Sequence, residues 1–183
     1  MLEYMILGIV YHQDATGYDI KKIIETKICM FYKPSFGSLY PALKRMVEKK
    51  FLTTYEVFQG ARRKIAYRIT EDGKTSFLEW LAIPLDIKEG ADKNLVKIYF
   101  YDLLVETDRN DRLLQYEKDS MQYLANLEKL EKELYEKIDV KKDYYKLSTL
   151  FYGITVTRTS IFSYNSFSSF SKFAKYCILS FSY

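Results

Sequence analysis

Gly37-Ser38-Leu39-Tyr40-Pro41-Ala42-Leu43-Lys44-Arg45-Met46, followed after a short interval by Arg62-Arg63-Lys64-Ile65-Ala66-Tyr67-Arg68-Ile69, is the stretch that decides the fold of this chain. In the first run Leu39, Leu43, Met46 and Val47 fall at i, i+4, i+7 and i+8, the spacing of one buried stripe on a helix extending to Lys50. Tyr40, Lys44 and Arg45, with Ser38 just upstream, lie off that stripe, so this helix turns a basic, hydroxyl-bearing face to water. Its start has two candidate caps. With Ser38 as N-cap, Pro41 falls where a helix has no backbone partner to lose; with Ser35, Pro41 costs one internal hydrogen bond. The second run alternates, with Ile65, Tyr67 and Ile69 on one face and Lys64, Ala66 and Arg68 on the other. A Thr-, Tyr-, Val- and Phe-rich segment, Phe51 to Gln59, precedes it across Gly60-Ala61-Arg62-Arg63, so the pattern predicts a hairpin whose tip and outer face are cationic.

Upstream, Leu2 to Tyr11 is apolar around most of a short helix, and Thr16-Gly17 ends the loop after it. A second helix is expected from about Tyr18, with Tyr18, Ile20, Ile23 and Ile24 facing a core and Lys21, Lys22 and Glu25 facing water. Downstream, Thr70-Glu71-Asp72-Gly73 reads as a cap with acidic first-turn residues, opening a helix through Ser76 to Leu81. Pro84 and Gly90 bracket a connector, Asn94 to Val105 is expected to be helical, and Asp108 to Asp139 reads as one long helix. Its apolar stripe runs through Leu113, Tyr116, Leu124, Leu127, Leu130, Leu134 and Ile138, flanked by mixed charge. About thirty helical residues extend roughly 45 Å, longer than a small domain can cover, so this helix wants a partner. The layout is then residues 1–82, a connector over 83–93, a helical domain over 94–158 and an atypical tail over 159–183. The last 24 residues hold eight serines and eight aromatics with no helical period, either a loosely helical cap or an abnormal end to the reading frame.

Charge is uneven along the 183 residues: net +5 over Met1–Thr75, −6 over Ser76–Asp139 and +5 over Val140–Tyr183. A basic front joined to an acidic middle suggests that one end of the molecule meets a polyanion. Cys29 and Cys177 match neither a redox pair nor a zinc knuckle, and no stretch is long and apolar enough to span a membrane, so a cytoplasmic setting is expected. Enzyme readings find little. His12 is the only histidine and has no nucleophile beside it in sequence, neither phosphate-binding glycine motif occurs, and no metal site assembles from these residues; no cofactor is expected.

The order helix, helix, helix, strand, basic turn, strand is that of a winged helix-turn-helix, a mainly α fold with a small β-hairpin wing. An α-helix fits the major groove of B-DNA with its N-terminal side chains at base edges. Candidate DNA-binding residues are therefore Ser35, Gly37, Ser38, Tyr40 and Lys44 on and before the third helix, with Arg62, Arg63, Lys64 and Arg68 on the wing. The wing's cations would lie along the backbone or in the neighbouring minor groove. Tyr40 would contact a phosphate or a base, or pack on the second helix. Lys44 fits a phosphate contact, Gly17 and Tyr18 the turn and the core, and Gly37 a close backbone approach to a neighbouring helix or a phosphate.

Four runs then resemble the successive signatures of the PadR-type transcriptional regulators: Ile6-Leu7-Gly8-Ile9, Gly17-Tyr18-Asp19-Ile20, Gly37 to Met46, and Arg62 to Gly73. The resemblance covers about Met1 to Leu81, and Asn94 to Tyr152 resembles the virulence-activator type of C-terminal domain. It implies a dimeric repressor on a palindromic operator, with the third helix in the groove, the wing on the flank and a long-helix domain for dimerisation. Leu113, Tyr116, Leu124, Leu127, Leu134 and Ile138 are the candidate pairing residues. Relatives sense phenolic acids and drugs, which makes Trp80, near the junction of the two parts, a candidate for stacking on a small aromatic effector. The tail from about Thr159 departs from the family's pattern. Two other readings stand beside this one: a winged-helix protein-interaction module without specific DNA binding, and a ligand-binding or catalytic α-helical protein.

Overall fold

The first helix, α1 (Leu2–His12), buries Met5, Ile6, Leu7, Gly8, Ile9 and Val10 in succession, which a helix does only when packed on most sides. In this computed structural model, residues 1–30, 32–60, 62–137, 144–145 and 148–159 are described. After α1 come β1 (Ala15–Thr16), α2 (Gly17–Ile23), α3 (Leu39–Glu48), β2 (Leu52–Gln59), β3 (Arg62–Ile69), α4 (Glu71–Ala82), α5 (Ala91–Tyr99) and α6 (Glu106–Lys137). A further helix, α7, covers 148–159. Chain contacts divide these into two compact units, Met1–Val105 and the part that begins at Glu106.

Each helix of the first unit starts where its sequence permits. Thr16 caps α2 through a capping box: its hydroxyl accepts from the Asp19 N–H, and the Asp19 carboxylate accepts from the Thr16 N–H at 3.1 Å. Thr70 caps α4 by accepting from the Gly73 N–H at 3.0 Å. For α3 neither serine uses its side chain as a cap. A 3-10 turn, Phe36–Ser38, leads into the helix, and the Ser38 hydroxyl donates back to the Ser35 carbonyl at 2.5 Å. Pro41 becomes the third helical residue, where no intrahelical bond is lost. Beyond Ile23, α2 widens into a π turn over Ile24–Ile28. An ideal α-helix rotates residues four apart by about 40°, so two such steps would carry Ile28 away from Ile20; in the wider turn Ile20, Ile24 and Ile28 are all fully buried.

The three strands form one antiparallel sheet in the order β1-β3-β2, with Leu52 opposite Ile69 at the base and Gln59 opposite Arg62 at the tip. The two-residue β1 is too short to leave a periodic signal in sequence. It pairs Thr16 with Ala66 and so makes β3 the central strand.

Several expectations need correction. Arg62 and Arg63 belong to β3 rather than to the turn, where Gly60 takes the left-handed region at φ +62°. Ile65 is 42% exposed while Ala66 is buried, because both edges of β3 are covered at Ala66 whereas Ile65 lies out along the wing. Tyr18 is 62% exposed and takes no part in the core. The expected helix from Asn94 to Val105 is α5 followed by a 3-10 turn at Tyr101–Leu103. This segment belongs to the first unit, which extends past the expected boundary at residue 82: the Phe100 ring meets Phe77 edge-on at 5.6 Å and lies within 2.5 Å of where a side chain on Gly8 would begin.

In the second unit, α6 of 32 residues is about 48 Å long at 1.5 Å per residue. Tyr116 is buried, Leu113, Leu124 and Leu127 are half-buried, and Leu130, expected on the same stripe, is exposed. Ile138, the Leu134 side chain and the tail from Ser160 lie outside the described residues. An ion pair between Arg158 and Glu128 joins α7 to α6, and Ile154 of α7 is buried.

Candidate nucleic-acid interface

The basic residues of α3 divide into two sets. Arg45 and Lys49 turn toward α1, where both pair with Glu3 at 3.3 and 3.4 Å and hold the two helices together. Lys44 stays out in water with only a loose contact to Glu48 at 4.0 Å, one turn along the helix from Tyr40, which is 60% exposed. The opposite side of α3 is sealed by Leu39, Ala42, Leu43 and Met46, all essentially inaccessible. Sequence periodicity expected Val47 in this stripe; Ala42 takes the fully buried place and Val47 is half-buried.

Gly17 acts as the seat of Tyr40. A side-chain carbon on Gly17 would begin 2.9 Å from Tyr40 Cε1 and 3.5 Å from Leu43 Cδ1, so the absent side chain lets the ring of α3 rest on the start of α2. On β3 the Tyr67 hydroxyl is pushed above its ordinary range, first by burial and then by the charge of Tyr40. Tyr40 therefore joins α3 to the start of α2. Gly37 differs from Gly17, since a side chain there would meet nothing nearer than the Ser35 hydroxyl at 4.0 Å. No neighbouring helix requires a glycine at that exposed position.

Along the wing, Arg62 and Arg63 are exposed at the tip end of β3 beside Phe58, which is 72% exposed. Arg63 pairs with Glu56. The Lys64 ammonium lies 5.9 Å from the centre of the Tyr18 ring, which explains why Tyr18 is out of the core: it is a platform for a wing cation. Arg68 is engaged by Asp14 and lies 4.9 Å from the Tyr55 ring centre. Of the wing cations expected to face a polyanion, Arg63 and Arg68 therefore have carboxylate partners within the chain. Sequence reading passed over Asp14 and Tyr55, because a lone aspartate in a loop and a tyrosine in a strand carry no periodic signal.

Trp80 does not offer a stacking surface. Tyr4 lies parallel to it at 4.5 Å between ring centroids, the Lys97 ammonium is 5.3 Å from its ring, and Trp80 retains 8% of its exposure. It packs α4 onto α1 and α5, and its face toward a planar effector is already occupied. Among the described residues, no group of three or more His, Cys, Asp or Glu is placed to hold a metal ion, and no helix is long and apolar enough to cross a membrane.

A helix-turn-helix with one exposed tyrosine and lysine on its third helix, joined to a cationic hairpin, is the geometry on which comparison with known proteins bears. The model of the transcriptional regulator PadR-like family matches residues 6–79, from the middle of α1 through most of α4. Over these residues the chain is similar to the PadR-like family. The negative transcriptional regulator PadR of Bacillus subtilis is 29% identical over 113 residues, which are 61% of this chain and 62% of that protein. The transcriptional regulator YqjI of Escherichia coli is 35% identical over 80 residues, 44% of this chain and 35% of its own length. The chain thus spans less than two thirds of either relative. Among solved structures, Bacillus subtilis PadR in complex with operator DNA aligns over 92% of this chain and 97% of its own at 22% identity, with a TM-score of 0.46. The same regulator in complex with p-coumaric acid aligns equally far, with a TM-score of 0.43. Both named relatives are transcriptional regulators, and the stretch of this chain that resembles them has three helices ahead of a hairpin wing.

Proposed function

We propose that this PadR-like protein is a homodimeric repressor that sets α3 of each copy into the major groove of a palindromic operator, with the wings on the flanking duplex. The observation that carries this reading is the placement of exposed Tyr40 and Lys44 on α3, in the same unit as β3, the strand that carries Arg62, Arg63 and Lys64 toward the wing tip. Tyr40 reads a base edge or a phosphate, Lys44 meets a phosphate, and the 3-10 turn of Ser35, Gly37 and Ser38 brings backbone close to the DNA, where a side chain on Gly37 would intrude. Arg62, Arg63 and Lys64 neutralise phosphates along the wing.

Pairing through α6 places two reading helices about one DNA turn apart, so that two weak half-site contacts act as one strong one. Leu113, Leu124 and Leu127 contribute to that seam. Tyr116 is already buried within one chain, so exposed Leu114 and Met121, seven residues apart, supply apolar contact in its place. Repression follows the Bacillus subtilis relative, named a negative regulator. A small aromatic effector that releases the DNA is carried over from the same relative, and the action is cytoplasmic, where such DNA lies.

The test is a titration of the purified chain with duplex DNA between about 50 and 200 mM salt, followed by footprinting of a selected site. A steep salt dependence and two protected half-sites about 34 Å apart are expected. Absence of duplex binding at low salt would leave the winged helix as a protein-interaction module.

A further inference from the structure

Asp14, Tyr55 and Arg68 meet at the base of the wing from three separate pieces of chain: the loop after α1, β2 and β3. Asp14 Oδ2 accepts from the Tyr55 hydroxyl at 2.7 Å, and from Arg68 Nε and Nη2 at 2.9 and 2.6 Å. The guanidinium also lies over the Tyr55 ring, which closes a triangle of mutually satisfied groups. The arrangement keeps the Asp14 carboxyl below its ordinary range, chiefly through the Arg68 bond, and raises the Tyr55 hydroxyl through its bond to Asp14. Arg68 retains 60% side-chain exposure, so this cluster is no part of the hydrophobic core. A lone ion pair this exposed contributes little to stability. Here, however, it ties both strands of the hairpin to the segment that leads into α2, and the backbone makes that connection only through the two residues of β1.

We propose that this cluster sets the angle of the wing against α2 and α3, and that Arg68 serves DNA binding as a positioning residue rather than by contact with phosphate. The inference rests on the DNA-binding reading above. Asp14 separates the two roles of Arg68. Were Arg68 a phosphate ligand, Asp14 would compete with DNA for it, and neutralising Asp14 would tighten binding. In a positioning cluster the same change loosens the wing and weakens binding, although it removes a negative charge from a protein that binds a polyanion.

The experiment compares the full chain with D14N, R68Q, the double variant and Y55F, on a duplex selected by the wild-type protein from a random pool. Affinity is read at several salt concentrations, hydroxyl-radical footprints are taken at saturation, and circular dichroism checks folding. D14N and R68Q are each expected to weaken binding about fivefold and to lower the salt slope equally as wing contacts to phosphate are lost, the double variant no more than either single. Y55F, which keeps the ring and loses the hydroxyl bond, falls between. Flank protection should fade while the central half-sites stay protected, whereas a general loss of folded protein would fade both together. D14N binding as tightly as wild type or tighter, or R68Q lowering the salt slope by about one where D14N leaves it unchanged, would overturn the inference while leaving the DNA-binding reading intact. Failure of the wild-type chain to bind any duplex would sink both.

Discussion

Replacing Gly17 by alanine should separate DNA affinity from stability. Gly17 has no unusual backbone angle, being absent from the residues with positive φ, so alanine is conformationally permitted. Fewer unfolded conformations should stabilise the variant by about 0.4–1 kcal/mol. Against this, the new methyl starts 2.9 Å from Tyr40 Cε1, about half an ångström inside ordinary contact, and 3.5 Å from Leu43 Cδ1, which is ordinary contact. The exposed Tyr40 ring can swing away at little cost, so the two effects roughly cancel and the melting temperature should move by only a few degrees. Swinging away, however, takes the hydroxyl off the position from which it meets DNA. One lost polar contact to a base edge amounts to about 1–3 kcal/mol, so duplex affinity should fall about tenfold or more. Fluorescence anisotropy on a labelled duplex, with a thermal melt of the same sample, reads both quantities, and Tyr40→Phe should share the affinity loss. An unchanged affinity in Gly17→Ala with Tyr40→Phe also silent would refute the role given to Tyr40 and to its seat.

Other consequences are as specific. Replacing Arg62, Arg63 and Lys64 together by alanine should lower the salt slope by less than the three phosphates' worth of about 0.9 each, because Arg63 already pairs with Glu56; an unchanged slope in a folded variant would remove the wing from the interface. Gly73→Ala should destabilise the fold by at least about 1–3 kcal/mol, since its methyl would start 2.2 Å from the Phe51 carbonyl oxygen, a backbone atom that cannot rotate aside; a melting temperature equal to wild type would contradict that packing. Asp14 titrates below its usual value of 3.8 when folded, so its contribution to stability is present above that value and is lost as the pH falls through the lowered one. Acid titration monitored by circular dichroism should accordingly show a shallower low-pH limb in Asp14→Asn, and an identical limb would argue against the pairing.

Much of the first unit was legible because its signals are local and periodic. The Leu39-Leu43-Met46 stripe, the Thr70 cap and the alternation through β3 each depend on side chains a few residues apart. What escaped depends on contacts between segments distant in sequence. Tyr18 sits where an amphipathic helix should bury it, and only the arrival of Lys64 from the wing makes it a surface platform. In sequence Arg45 reads as a cation facing water and Arg68 as one available to DNA, while in the structure Glu3 and Asp14, 42 and 54 residues away, hold them. The packing after α4 escapes for a similar reason: Pro84 and Gly90 mark a real break in helix, yet Phe100 returns to fill the space left by Gly8. Proline and glycine report where a helix stops and carry no information about which core the next one joins.

The widened turn at the end of α2 also bears on how homologous chains can differ in length. Because Ile24–Ile28 takes its turn with one residue more than a regular helix needs, deleting a single residue there would restore regular winding. It would also swing Cys29, Met30 and the approach to Pro34 around the helix axis. Relatives with this segment one residue shorter should therefore carry compensating changes in the loop before Phe36, and an alignment that scatters gaps freely across residues 24–34 would misplace the reading helix that follows.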